Sequence, residues 1–173
     1  EKSLREGFLP VVLGGDHSVA IGTISGMARH LRRRKARLGL IWIDAHADMN
    51  TPETSPSGNV HGMPLACLIG QGPRALTHIY GYAPKVDPQR VALVGVREVD
   101  QLEKPHVRDS GVRAFTMRDI DERGLRAVIE DALRAALAGR RKPKKKFKLK
   151  DGSFKGNGLQ PAVDLKNLVE YAY

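Results

Sequence analysis

Residues 41–62, IWIDAHADMNTPETSPSGNVHG, run from an apolar, strand-like stretch into three metal-binding residue types at alternate positions. With Leu38 and Leu40 before them, Ile41, Trp42 and Ile43 place apolar side chains on both faces, as a strand covered on both sides of a parallel sheet requires. Asp44, His46 and Asp48 follow at i, i+2 and i+4, a spacing that aims three side chains the same way in an extended segment. A mostly polar run then leads to His61.

Working outward, FLPVVLGGDHS (8–18) predicts a short buried strand at Val11–Leu13, broken by Gly14 and Gly15 and followed at once by Asp16 and His17. The two glycines allow a tight turn beside a site but form no phosphate loop, because no G-x-x-x-x-G-K-[ST] follows. From Ser18 the pattern turns helical, with Val19, Ile24, Met27, Ala28 and Leu31 on an imperfect apolar face and Asp16 placed to cap the start. Arg32, Arg33, Arg34 and Lys35 suit a helix C-terminus and read as a solvated face. Further strands are expected at 90–96 (RVALVGV) and 112–117 (VRAFTM), with the polar residues 98–109 between them helical. DERGLRAVIEDALRAALAG (121–139) predicts one helix, with Leu125, Val128, Ile129, Ala132, Leu133, Ala136 and Leu137 at helical spacing and Gly139 as its stop. Strands alternating with helices predict a three-layer αβα fold on a mainly parallel sheet.

At 173 residues the chain has room for one domain with a real core. It begins at Glu1 rather than methionine, which suggests a piece of a longer protein. Of the net charge of +10, most lies from residue 140 onward, where ten Lys/Arg face three Asp/Glu. Residues 1–139 form the expected domain and residues 140–173 a basic, divergent tail, so the high charge does not describe the surface of the fold. The tail, poorly ordered or forming a hairpin around Asp151 and Gly152, could give salt-sensitive binding to anionic partners. Only Phe147 interleaves with its cations, so a nucleic-acid role is not expected. The single cysteine, Cys67, sits among apolar neighbours and reads as a small buried hydrophobe, which with the absence of a membrane-length apolar run points to a reducing cytoplasm.

In open parallel sheets, ligands bind where strands end at their carboxyl edge. GGDHS and DAHAD each follow a strand, so His17 is expected to face Asp44, His46 and Asp48 across a crevice. Imidazole plus carboxylate without thiolate suits manganese or another hard to borderline divalent ion better than a structural zinc cage.

GGDHS, WIDAHADMNTPETSPSGNVHGMPLA, VALVGVREVD and GVRAFTMRDID agree in order and spacing with one family: over about residues 8–139 the chain resembles arginase, within the ureohydrolases. The resemblance implies a binuclear manganese site that hydrolyses L-arginine to ornithine and urea, in a protein that forms homo-oligomers. It makes His17, Asp44, His46 and Asp48 manganese ligands, with Asp44 bridging the two ions, His17 and Asp48 on one, and His46 on the other. It makes His61 the proton-shuttling histidine. Asn50, Ser57 and Asn59 match positions that read the substrate α-carboxylate, and Asp100, with Glu103 assisting, the α-amino group.

The family's further bridging carboxylates come from a later D-x-D strand, and a later glutamate meets the guanidinium. Here the resemblance stops near Arg141–Pro143, and neither KKKFKLKDGSFKG nor AVDLKNLVEYAY contains D-x-D. The fold is therefore expected to be incomplete on its C-terminal side, the second ion weakly held, and the chain weakly active or inactive. Two alternatives stand beside this reading: another ureohydrolase acting on agmatine, which lacks the α-carboxylate that the 50–59 run suits, and a non-enzymatic fragment that uses the basic tail.

Overall fold

The structure is a computed structural model and describes residues 2–137. Three parallel strands, β1 (Leu40–Ile43), β2 (Val91–Val96) and β3 (Arg113–Thr116), lie in the order β1-β2-β3. The helices are α1 (Lys2–Arg5), α2 (Val19–Arg33), α3 (Pro64–Leu68), α4 (Arg74–Thr77), α5 (Lys104–Asp109), α6 (Met117–Arg123) and α7 (Leu125–Ala136). β1 pairs with β2 from Leu40↔Val91 to Ile43↔Val94, and β2 with β3 from Ala92↔Arg113.

The period of two along β2 builds three layers. Val91 and Leu93 join Trp42, Met49, Leu65 and Leu68 on one face, with Ala20 and Ile24 of α2 packed against them. Ala92 and Val94 face the other way and join Phe115 with Val128, Ala132 and Ala135 of α7. β2 is central and buried along nearly its whole length, which is why its sequence is apolar on both faces. At Gly95, with φ of 90°, the register with β3 shifts, and Val96 joins the same cluster as Val91 and Leu93. This bulge re-aims the end of the strand toward the site. Beyond it the amides of Arg97 and Glu98 both donate to the Ala45 carbonyl, at 2.9 and 3.1 Å.

The expected strand at Val11–Leu13 does not form. A strand exists only as part of a ladder, and among the described residues no strand runs beside it. Val11 and Leu13 are left 78% and 91% exposed. The third expected strand ends at Thr116 because Thr116 caps α6, its hydroxyl accepting from the Asp119 amide while Asp119 accepts from the Thr116 amide. Nor is 121–139 one helix. Gly124, at φ 80° and ψ 145°, separates α6 from α7, a conformation a side chain disfavours. Within 98–109 only Lys104–Asp109 is helical. Of the expected apolar face of α7, Val128, Ala132 and Ala136 are buried, while Leu125, Leu133 and Leu137 are exposed. Gly139 and the possible tail hairpin lie outside the described residues.

The C-terminal end of α7 reaches the start of β1 at Gly39, where a Cβ would sit 2.3 Å from the Ala136 carbonyl oxygen. That oxygen and its carbonyl carbon, 2.9 Å away, are backbone, so neither can step aside. Gly39→Ala should therefore lower stability by about 1–3 kcal/mol, the range for overpacking. Urea unfolding followed by far-UV circular dichroism measures this, and an unchanged midpoint would show that α7 does not seat against β1.

Candidate metal centre

The carboxyl end of β1 delivers Asp44 directly, since its amide continues the ladder to the Val94 carbonyl at 3.0 Å. His17, in the turn before α2, stacks its ring on Trp42 with centroids 4.1 Å apart. The stack sets His17 Nδ1 2.8 Å from Asp44 Oδ2 and 2.7 Å from Asp48 Oδ2. His17, Asp44 and Asp48 thus offer three ligand atoms within 4.8 Å of one another.

Asp48 is held by its backbone. It adopts φ 52°, a left-handed conformation uncommon for a residue with a side chain. Its carbonyl accepts from the amides of Leu65 and Ala66 at 2.9 and 3.2 Å, satisfying two donors at the start of α3. The next amide, Met49, donates to Glu103 Oε1 at 2.7 Å, and the Asp100 amide donates to Glu103 Oε2 at 3.2 Å. The Asn50 amide donates to the Gly62 carbonyl at 3.1 Å and closes the polar run into a loop. That closure brings His61 back to the site.

Burial raises the Asp48 pKa above the ordinary 3.8, and the Asp44 carboxylate pushes the same way, partly offset by His17. The buried Asp48 Oδ2 has no well-formed hydrogen bond, its near neighbour being His17 Nδ1 at 2.7 Å. A buried carboxylate oxygen without a donor is costly, and a cation among the three atoms would remove the cost. The donor set is oxygen and imidazole nitrogen, so these residues fit a divalent cation.

A cleft of about 260 Å³ opens beside this cluster. Of the residues singled out from the sequence, His46, Asp48, Asn50, Ser57, His61, Asp100 and Glu103 line it, whereas His17, Asp44 and Asn59 do not. His46 stands at the edge of the cluster, its Nδ1 3.4 Å from Asp44 Oδ1 and its Nε2 3.6 Å from Glu98 Oε2. Asn50 is buried, its amide nitrogen donating to Asp100 at 2.8 Å and its oxygen accepting from Thr54 at 3.0 Å. Both Glu103 oxygens serve backbone amides, so this side chain braces the cleft from beneath. Burial is also the leading cause that raises its pKa. Sequence reasoning missed Glu98 and Ser55 as lining residues. Glu98 was within reach of it, lying two residues before Asp100 in REVD.

Fold and site together define an α/β protein with a candidate metal centre at the carboxyl edge of a parallel sheet. Comparison with known proteins sharpens this. The Arginase family profile matches residues 1–143. Arginase from Bacillus caldovelox is 50% identical over 133 residues, 77% of this chain and 43% of that protein. The crystal structure of arginase from Bacillus subtilis superposes with a TM-score of 0.74 at 48% identity, over 79% of this chain and 46% of that one. Entamoeba histolytica arginase, crystallised in complex with L-ornithine, aligns at 44% identity and a TM-score of 0.64, over 72% of this chain and 41% of that one. The chain belongs to the arginase family. It spans less than half the length of these relatives.

Glu103 ties Met49 to Asp100 across 51 positions of sequence, and Glu103→Gln tests that tie. The amide would face one backbone N–H with its own NH2 group and leave that donor unpaired. A loss of about 1–3 kcal/mol is expected, the cost of one buried unsatisfied group. The urea midpoint reports it, and a midpoint equal to the parent's would remove Glu103 as the brace.

Proposed function

We propose that this chain carries the metal-binding and amino-acid-reading part of a manganese-dependent hydrolase that converts L-arginine to ornithine and urea, in the cytoplasm and as a homo-oligomer. The observation that carries the reading is the convergence of His17, Asp44 and Asp48, the last of which also lines a cleft together with His61 and Asp100. The relative crystallised with L-ornithine supports the substrate class.

A guanidinium carbon is resonance-stabilised and a poor electrophile, so attack by water needs strong activation. Manganese, when bound, supplies the Lewis acidity that makes water nucleophilic near neutral pH. His17, Asp44 and Asp48 would hold one ion, and His46 with Asp44 a second. His61 is exposed and lines the cleft, which supports a role in giving a proton to the leaving amine and exchanging it with solvent. Asp100 supplies a negative charge for the substrate α-ammonium. Asn50 and Ser57, which line the cleft, supply neutral hydrogen-bonding groups for its α-carboxylate. The Asn50–Asp100 hydrogen bond would hold these two groups in fixed register.

Manganese titration followed by calorimetry tests the metal reading. Tight binding of one ion per chain is expected, lost in Asp48→Asn. The cation and a proton compete for the Asp48 carboxylate, whose pKa is raised, so affinity should begin to fall at a pH above the ordinary 3.8 as the solution is acidified. Binding that is indifferent to Asp48→Asn would place the ion elsewhere.

With no D-x-D after residue 140, the 173-residue chain by itself is expected to release little urea from arginine under saturating manganese. In a chain completed with the C-terminal half of a family member, His61→Asn should cut turnover at least tenfold while manganese content stays level. Loss of metal together with activity would mean that His61 is a ligand and not a proton carrier.

A further inference from the structure

A second cleft, of about 350 Å³, lies between the end of α2 and the segment that leads into β2, and none of its lining residues lines the first. Its lining carries Arg32, Lys35, Arg37, Lys85 and Arg90 against a single carboxylate, Asp87. A run of surface cations needs no explanation, because it is usually a solvated face. The helix C-terminus likewise accounts for Arg32 by charge alone. Two observations separate this cleft from a solvated face.

First, Lys85 and Arg90 come from a different segment and are only 6% and 7% exposed, and such residues are rarely buried without a partner. Second, their partners differ. The Lys85 ammonium donates to the Thr77 carbonyl at 2.7 Å and to the Tyr82 carbonyl, and it lies over the Tyr82 ring at 4.3 Å, as the Arg32 guanidinium does. Arg90 has no ion pair or side-chain hydrogen bond among the described residues, and neither do Lys35 and Arg37. Asp87 does not answer for them, since its side chain accepts from the Gln89 amide.

We propose that this cleft binds a compact phosphate-bearing anion, with Arg90 at its floor and Arg37, Arg32 and Lys35 at its rim. Planar guanidinium groups present paired N–H donors that match phosphate oxygens, and a cleft of mixed arginine and lysine supplies both fork and point charges. The turn that ends α2 favours this arrangement. Lys35 takes φ 53°, with the Lys35 and Ala36 amides donating back to Arg32 and Leu31, so residues 35–38 fold along the cleft wall. Burial and the neighbouring Arg32 charge both push the Lys85 pKa down, which agrees with a crowded positive region. An oxyanion there would relieve that crowding and offer acceptors to the Arg90 guanidinium.

Inorganic pyrophosphate, titrated into the full 173-residue chain by calorimetry at fixed ionic strength, is the probe. The cations at 140–150 offer a competing polyanion site, so the variants decide. Arg90→Gln and Arg37→Gln should each weaken binding at least tenfold, while Arg118→Gln, on α6, should leave it unchanged. Arg37 is exposed, so its substitution reports even where the buried Arg90→Gln fails to fold. Equal affinity in the parent and Arg37→Gln, or no binding at all, would overturn the proposal.

Discussion

The parallel pairing of β1 with β2 is the constraint on which the rest depends. Its register runs Leu40↔Val91 to Ile43↔Val94 and carries on one residue further, through the Asp44 amide to the Val94 carbonyl. That last bond places Asp44 at the carboxyl edge with its side chain free of the ladder. One residue of slip would turn Trp42 out of its cluster and point Asp44 away from His17, because side chains alternate along a strand. The ring stack of His17 on Trp42 depends on the same register. Strand pairing, core and candidate metal centre are therefore one arrangement.

A second constraint is electrostatic. Asp44 and Asp48 are brought to one imidazole in a partly buried place, and no arginine or lysine lines the cleft beside them. Burial and, after it, the like charge of Asp44 both disfavour the ionised Asp48 carboxylate and raise its pKa. The fold holds Asp48 there through its own backbone and that of its neighbours: the Asp48 carbonyl at α3, the Met49 amide at the Glu103 carboxylate and the Asn50 amide at the Gly62 carbonyl. Such preorganisation against repulsion is what a cation site requires, because the ion then meets a set of ligands already in place.

The two clefts illustrate opposite uses of buried charge. In one, carboxylates converge on an imidazole with no lysine or arginine in the lining; in the other, cations converge with one carboxylate. Both lie beside secondary-structure ends where a non-glycine residue adopts a left-handed conformation, Asp48 in the first and Lys35 in the second. Strain of that kind persists only where surrounding bonds hold it, and in both places carbonyls and amides do so.

The sequence by itself determined the three paired strands, α2, the line of Val128, Ala132 and Ala136 that α7 buries, and the meeting of His17 with Asp44 and Asp48. These are local matters: apolar alternation reports a strand, and 3.6-residue spacing reports a helix. The Arginase family was legible for the same reason, since its motifs lie in continuous stretches. Only the tertiary structure decided the rest. Val11–Leu13 reads as a strand by composition but has no neighbour among the described residues, and pairing is not a local property. The split at Gly124 depended on a capping box that starts α6 early. The role of Glu103 as a brace could not be read from REVDQLE, because its partner Met49 lies 54 positions away in sequence. The cationic cleft was hidden for the same reason, since Arg37 and Arg90 come together only when α2 and the approach to β2 are folded side by side.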